Sequence, residues 1–597
     1  MKLHVIRVAN RVLPVNSRRR RFAKRLLAKS APTPPLATSV TYSSWIRDCE
    51  PKLFAETSDK LKEAKHRPLI SIVVPCYNTP KKYIDPLLES VKAQLYDNWE
   101  LCLADGSSNK DNAEYLAALA KSDSRVRYVK VGKNLGIVGN TNEGLATAKG
   151  SYVAFMDHDD TLSKYALAEM VIAINDNPKA GILYSDEDKL SDDGRERQLP
   201  FFKPDWSPDL LLGVNYITHF VVAKKSLVDE IKGLRIGFDG AQDYDFLLRA
   251  TEQTDQVIHI SKILYHWRLA EGSTAKSVGE KSYADTAGQR ALKDAANRRG
   301  IDAKVIEIPE RPTNYRLQFA LKDPQPKVSI IIPFKDKPEL LRQCVGSILQ
   351  KTTYKNYELI LVSNNSTEDD THSYLKELKD ETRCNVFYWD KPFNYSKINN
   401  YGRKQATGDY LVLLNNDTEV ITPEWLDELI GVASQPGVGA VGPLLYYPDK
   451  TIQHAGIVLG MDTMAGHVFR RRQPQDWTDF GMAAWPRNYL AVTAACLAVE
   501  ARKYDEVGGL DEIFTVAGND VAFGISLYEK GYRNIYWPFA ELIHYENVSV
   551  GTYNNGIQLD YDHSLDYYRP YLQWNDPFFN SNLDLMNEQV GIRGVYE

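Results

Sequence analysis

Three separate motifs of this chain occur twice, in the same order. SIVVPCYNTP at Ser71 to Pro80 returns as SIIIPFKDKP at Ser329 to Pro338, and LYDNWELCLADGSS at Leu95 to Ser108 returns as TTYKNYELILVSNN at Thr352 to Asn365. FMDHDD at Phe155 to Asp160 returns as LLNNDT at Leu413 to Thr418. Pro75 and Pro333, Glu100 and Glu358, and Asp159 and Asp417 share one offset of 258 residues. A period this long means two whole domains rather than a solenoid, and 597 residues leave room for both, each with its own core. Each copy is therefore a control for the other: what both keep is shared machinery, and what one lacks marks where they diverge.

Each copy opens on a continuous apolar run, LISIVVP near Pro68 in the first. Such a run suits a strand covered on both faces. Helical spacing from Pro86 to Leu95, a strand at LCLA, a strand from Arg125 to Val131, a helix from Asn142 to Ala148 and a strand at SYVAFM follow. Strands alternating with helices predict an α/β fold with a doubly wound, mostly parallel sheet, whose ligands bind beyond the carboxyl ends of the strands. Asp105 and Asp157 to Asp160 stand at such ends.

The expected organisation is a basic segment with a Pro-rich linker and a short helical stretch over 1–66, a first domain over 67–305 and a second over 306–550. An aromatic tail, 551–597, is expected to pack on the second domain. Asp243 pairs best with Asp520 and His266 with His544, so the second copy carries about twenty extra residues after its acidic cluster. Insertions in loops at a ligand end alter specificity.

Composition narrows the class. Six scattered cysteines with no CxxC spacing argue against a zinc site or a disulfide framework and fit a reducing cytoplasm. No apolar run approaches the roughly 18 residues needed to span a bilayer, and the first apolar residues are too broken by Arg and Lys for a signal peptide. Ten basic residues from Lys2 to Lys29 precede the first acid, Asp48, and with Val5, Ile6, Val8, Phe22 and Leu26 they suit an anionic lipid surface. A peripheral place on the inner face of the cell membrane is expected. Nucleic acid is not, because the formal net charge is −5 and no extended basic surface follows.

An Asp-x-Asp at the end of a buried strand places hard oxygen ligands where a divalent cation can bridge a phosphate. Asp157-His158-Asp159-Asp160 has that form, and Asn415-Asn416-Asp417-Thr418 repeats it. Far downstream, Asp243 and Asp520 each precede a helical pattern, and His266 and His544 follow them after 23 and 24 residues. Matched spacing favours a site, with His as a further metal ligand and Asp as a general base. No Gly-rich phosphate loop and no GxGxxG accompanies these acids, which disfavours a pyrophosphorylase and dinucleotide binding.

SIVVPCYN, LADGSS, NLGIVGNTNEGL, FMDHDD, AQDYDFLLR and YHWR resemble glycosyltransferase family 2, inverting enzymes of the GT-A fold. The likeness covers about 67–270 and again 327–550, and YSDEDK, IQHAGIVLG and LLNNDTEV are similar to members that build O-antigen or cell-wall glycans, often containing rhamnose. The resemblance implies two tandem GT-A domains acting on UDP- or dTDP-linked sugars with Mn²⁺ or Mg²⁺, and an oligosaccharide or lipid-linked glycan as acceptor. In the first copy it implies that Pro75 and Tyr77 border the base, Asp105 accepts from uracil or thymine N3, and Asn134 and Asn142 line the nucleoside pocket. Asp157 would face the ribose, and Asp159 would hold the metal with Asp160 as alternate. His266 would complete the shell, Arg268 or Lys276 would neutralise the diphosphate, and Asp243 would be the base.

In the second copy the corresponding residues are Pro333, Ser363 with Asn364, Asn415, Asp417 as metal ligand, His544 and the base Asp520. Ser363 replaces the anion Asp105, Phe334 and Lys335 replace Cys76 and Tyr77, and Ala522 and Ser526 stand where the first copy has Asp245 and Arg249. The expectation is a second transferase with a different donor or linkage; the competing reading is a non-catalytic, glycan-binding copy. Gln453, His454, His467 and Thr493 to Cys496 are candidates for the acceptor side, and the aromatic tail for a lid.

Overall fold

The computed structural model describes residues 39–270, 278–546, 554–574 and 576–594. The basic segment and Lys276 lie outside them. In the first domain the strands that frame the site are β1 Ile70–Cys76, β2 Trp99–Asp105, β3 Val126–Lys130, β4 Tyr152–Phe155, β5 Thr161–Leu162, β6 Ile182–Leu190, β7 Val221–Lys224 and β8 Val257–Arg268. In the second they are β9 Val328–Phe334, β10 Tyr357–Ser363, β11 Cys384–Tyr388, β12 Tyr410–Leu414, β13 Thr418–Val420, β14 Val438–Tyr446, β15 Cys496–Glu500 and β16 Arg533–His544.

The first sheet runs β3-β2-β1-β4-β7-β6-β8-β5 and the second β11-β10-β9-β12-β15-β14-β16-β13. The two orders are the same order. The first four strands of each path are parallel, and β7 and β15 enter antiparallel. Every residue of β1, β2, β9 and β10 is buried, as expected of strands covered on both faces.

Helices flank both sheets because their apolar residues recur at helical spacing. Lys81–Lys92 buries Tyr83, Ile84, Leu87, Leu88 and Val91. It begins well before Pro86, which was expected to open it, and the helix expected from Asn142 runs from Gly136 to Thr147. The extra residues of the second domain form short strands at Ile452–His454, Ile457–Leu459, Ala465–His467 and Arg487–Tyr489. They lie where the first domain has the strand Arg197–Phe201 and the short helix Pro208–Leu211.

Two terminal pieces tie the domains together. The helix Tyr42–Glu63 reaches the first sheet, where Glu50 and the Tyr42 hydroxyl both meet Arg197. The tail touches both domains rather than the second alone. Its Asp576 accepts from Leu459 N at 2.9 Å, and its Asn580 amide donates to Asp186 at 2.9 Å in β6. Ile592–Arg593 then pairs with Ser39–Val40. Between the domains, Asn488 donates to Asp209 at 2.7 Å, and Arg533 Nε reaches the same carboxylate at 2.8 Å. Among the described residues no helix is long and apolar enough to cross a membrane.

Candidate active sites

The carboxyl ends of β1 and β4 and the start of β7 open on a cavity lined by Pro75, Thr141, Asp157, Thr218, His219, Gln242 and Asp243, among others. Asp243 lies in the first turn of the helix Gln242–Gln253. Its Oδ2 accepts from Asn215 Nδ2 at 2.9 Å and its Oδ1 from Tyr244 N at 2.8 Å, so the carboxylate is aimed rather than free to rotate. Burial raises its pKa above the ordinary carboxylate range, with the charge of Asp157 adding to the rise.

Facing it is a cluster built on the turn after β4. One carboxylate oxygen each from Asp157 and Asp160 and one ring nitrogen of His219 lie within 4.8 Å of one another. Asp160 is fully buried and accepts from the Tyr265 hydroxyl at 2.5 Å and Arg268 N at 2.7 Å. Burial and the charges of Asp159 and Asp157 push its pKa well up. His219 stacks on Tyr265 with ring centres 4.7 Å apart and planes 7° from parallel. Burial alone would lower its pKa, but Asp157 and Glu187 outweigh that and raise it to about 10.

His219 was not singled out from sequence, whereas His266 was. In β8 the side chains alternate: Tyr265 and Trp267 face His219, and His266 turns to the opposite face, where its Nδ1 meets Asp188 at 2.7 Å. The expected ligand role of His266 therefore has no geometry behind it. Asp159, also expected on the metal, stands outside the close group, 3.9 Å from the His158 ring. Arg268 is likewise engaged elsewhere. It is buried, and its guanidinium donates to the carbonyls of Asp159, Ser191 and Asp192, which anchors the acidic turn instead of facing a diphosphate.

The residues expected around the nucleoside divide in the same way. Asp105 ends β2 fully buried, accepting from the Tyr128 hydroxyl and Ser107 N, both at 2.9 Å. Tyr77 is 46% exposed, free to cover a flat ring. Asn134, on the exposed loop before the helix Gly136–Thr147, accepts from Gly136 N at 3.0 Å and from the Asn140 amide at 3.1 Å. Asn142 clasps the backbone of Leu234, donating to its carbonyl at 2.9 Å and accepting from its N–H at 3.0 Å. Asn400 clasps Leu510 identically in the second domain, at 2.9 and 3.1 Å. Both copies thus use this asparagine to hold in place the loop that leads to the helix bearing Asp243 or Asp520.

In the second domain Asp520 lies in the first turn of the helix Asn519–Glu529 and accepts from Ala494 N at 3.1 Å and Val521 N at 2.8 Å. Burial again raises its pKa. His544 Nε2 lies 3.3 Å from Asp417 Oδ1 and 3.4 Å from the Asn415 amide, while Asn415 Oδ1 accepts from Tyr395 at 3.2 Å. Here the histidine does face the acid turn. His544 pairs with Thr418, whereas His266 pairs with Thr161, one residue further along the matching strand. A one-residue slip moves a side chain to the other face of a sheet. The place of His219 is held by Ala495, since Phe155 pairs with Val221 and its counterpart Leu413 with Leu497.

The base-facing end also changes as a unit. Pro333 is buried next to the end of β9, Ser363 Oγ bonds Ser366 at 2.9 Å, and Val386 occupies the register of Tyr128. Asn364 donates its amide to the Trp389 and Lys391 carbonyls, both at 3.0 Å. On the insertion, buried His454 and half-buried His467 bond through their Nδ1 atoms at 3.0 Å, and desolvation lowers the pKa of His467 to about 4. The helix Asn554–Trp574 packs on the loop that leads to Asp520: Asp560 accepts from Thr515, Val516 and Ala517 N–H groups at 2.6–3.0 Å, and Tyr568 donates to Gly518 O at 3.2 Å.

The sequence matches the model of glycosyl transferase family 2 over residues 71–232 and again over 329–506. It is 40% identical over 576 residues to an O-antigen biosynthesis protein, RfbC, of Myxococcus xanthus, covering 96% of this chain and 44% of that protein. It is 41% identical over 544 residues to an uncharacterized protein of Sinorhizobium fredii, covering 89% of this chain and 59% of that one. The chain thus spans about half the length of these relatives. A structure of S. aureus TarS with UDP-GlcNAc shares 19% identity over 38% of this chain and 66% of that one, with a TM-score of 0.33. With both domains matched and the same sheet order built twice, the chain belongs to glycosyl transferase family 2.

Proposed function

We propose that the chain is a bifunctional, inverting glycosyltransferase that moves sugars from nucleoside diphosphate donors onto a growing bacterial surface polysaccharide. One observation carries this reading: a half-buried carboxylate at a helix N-terminus, Asp243 or Asp520, stands beside an acidic strand-end turn in both domains. The O-antigen role is suggested by the relative from M. xanthus. The place of action we propose is the inner membrane face, through the basic segment before residue 39.

In the first domain, Asp105 and the Tyr77 ring would take the base, and Asp157 and Asp160 with His219 Nε2 would hold Mn²⁺ or Mg²⁺. Two carboxylates and an imidazole form a donor set such ions accept. When bound, the ion offsets charge building on the leaving diphosphate. Asp243, oriented by Asn215, removes the acceptor hydroxyl's proton, and that oxygen attacks the anomeric carbon from the side opposite the diphosphate. A raised pKa makes Asp243 a better proton acceptor, and such a base is worth about 10² to 10⁴ in rate.

In the second domain Asp417 and His544 would hold the ion and Asp520 would be the base. Ser363, Val386 and Ala495 in place of Asp105, Tyr128 and His219 favour a different donor, and they are also what a non-catalytic copy would show. Purified Asp243→Asn and Asp520→Asn, assayed with nucleotide-sugars and Mn²⁺, decide it. Each variant should lose one transfer by about 10²-fold or more while retaining nucleotide binding; an Asp520→Asn chain with wild-type products makes the second domain a scaffold.

A further inference from the structure

Glu187 and Lys203 form a buried ion pair that the mechanism above does not use. Glu187 is 2% exposed and Lys203 0%. Lys203 Nζ donates to Glu187 Oε2 at 3.1 Å and to Ile217 O at 2.6 Å, and it also bonds the carbonyl of His219. Removing two charges from water costs several kcal/mol for each, so such a pair is a weak source of stability. Its position has another consequence.

The same Glu187 Oε2 accepts from the Thr218 hydroxyl at 2.6 Å and from His219 N at 3.2 Å, and it lies 3.3 Å from His219 Nδ1. The Nδ1 contact is off the line of a good hydrogen bond, and no other partner stands against that nitrogen. Nε2, at the far side of the ring, points to Asp157 at 3.7 Å. Tyr265 fixes the plane of the ring, and its hydroxyl holds Asp160. The Thr218 hydroxyl, the His219 N–H and one ring nitrogen therefore all face a single carboxylate oxygen, and that carboxylate is held by Lys203, which has no access to water, and on its other oxygen by Lys189 Nζ at 3.1 Å.

We infer that Glu187, held by Lys203, is a positioning residue for the first site: it accepts from the Nδ1–H of His219, fixes that tautomer, and so leaves the Nε2 lone pair free for the divalent cation that Asp157 and Asp160 would hold. A carboxylate behind a ligating histidine sets ring orientation and basicity, and losing it weakens metal binding about 10- to 100-fold. The inference rests on the reading of His219 as a ligand. It also separates the two domains. Ala495 stands where the first has His219, so the second site has no ring for such a carboxylate to orient.

The test is Mn²⁺ binding, followed by the electron paramagnetic resonance of free Mn²⁺, on the full chain with the second site silenced by Asp417→Asn. His219→Gln, Glu187→Gln and their combination form a cycle, with thermal melts in the absence of metal as the check on folding. Because Glu187→Gln leaves Lys203 charged and buried, Glu187→Gln/Lys203→Met removes the pair as a unit. Expected is a loss of Mn²⁺ affinity of about tenfold or more for Glu187→Gln and for the paired variant, and less than twofold when Glu187→Gln is added to His219→Gln. Unchanged affinity in the paired variant, or an equal loss with and without His219, overturns the positioning role while His219 remains a ligand. Unchanged affinity in His219→Gln overturns the ligand assignment and the positioning role with it.

Discussion

Gly150 and Gly408 show what a residue repeated for architecture looks like. Gly150 N donates to Ser71 Oγ at 2.8 Å, Ser71 donates to Glu100 at 2.6 Å, and Glu100 accepts from Lys149 N. Gly408, Ser329, Glu358 and Thr407 repeat the arrangement. A Cβ on Gly150 would fall 2.5 Å from Leu69 O and 2.7 Å from Ser71 Oγ, so only glycine lets the chain pass this close. Gly150→Ala and Gly408→Ala are expected to lower stability by about 1–3 kcal/mol, read from urea midpoints, with catalytic constants per folded molecule unchanged. The duplication marks Ser71, Glu100 and their counterparts, but it cannot tell scaffold from chemistry: Asn142, matched by Asn400 and expected in the nucleoside pocket, clasps Leu234 instead. It also hid His219, since comparing the copies finds what both keep, and the second has alanine there.

Elements were readable where periodicity is strong, as in β1, β2 and their counterparts. The register of β8 was not, because YHW and IHY align by letter yet pair with the acid turn one residue apart. Only hydrogen-bonded register, which no local pattern encodes, sends His266 behind the sheet and His544 to the site. The strand β6, written YSDEDK, joins the parts in a way sequence also left open. Its Asp186 holds His259 Nε2 at 2.8 Å and the tail's Asn580, while His259 Nδ1 meets Asp205 at 2.9 Å. Burial lowers the pKa of His259, but the two carboxylates outweigh it and raise it to about 9. A folded pKa above the unfolded value near 6.5 means the stabilisation is full below about pH 6.5 and lost as pH rises through about 9. Thermal melts should therefore fall over that window by more in wild type than in His259→Gln, a difference of about 3 kcal/mol at most; parallel curves would remove the clamp from the account.

At the scale of the molecule, one fold has been used twice and then made unequal. The two sheets share order and polarity, and the helix-borne carboxylates Asp243 and Asp520 stand at equivalent points. The differences gather at the ligand ends: Asp105 with Tyr128 against Ser363 with Val386, His219 against His544, and the insertion and the tail helix that packs on the loop before Asp520. The tail reaches back through Asn580 to β6, so the halves are not independent beads. That the chain holds two domains could be read from a 258-residue offset. That its ends bridge them could not, because contacts between distant segments leave no periodic trace.

The central claim is that both domains transfer sugar and do so differently. Its most direct test is linkage analysis of the glycan made by wild-type, Asp243→Asn and Asp520→Asn chains with the same acceptor and donor mixture. Two linkages in the wild type, with a different one missing from each variant, is the predicted result. A wild-type product carrying a single linkage that Asp243→Asn abolishes and Asp520→Asn leaves intact would contradict it.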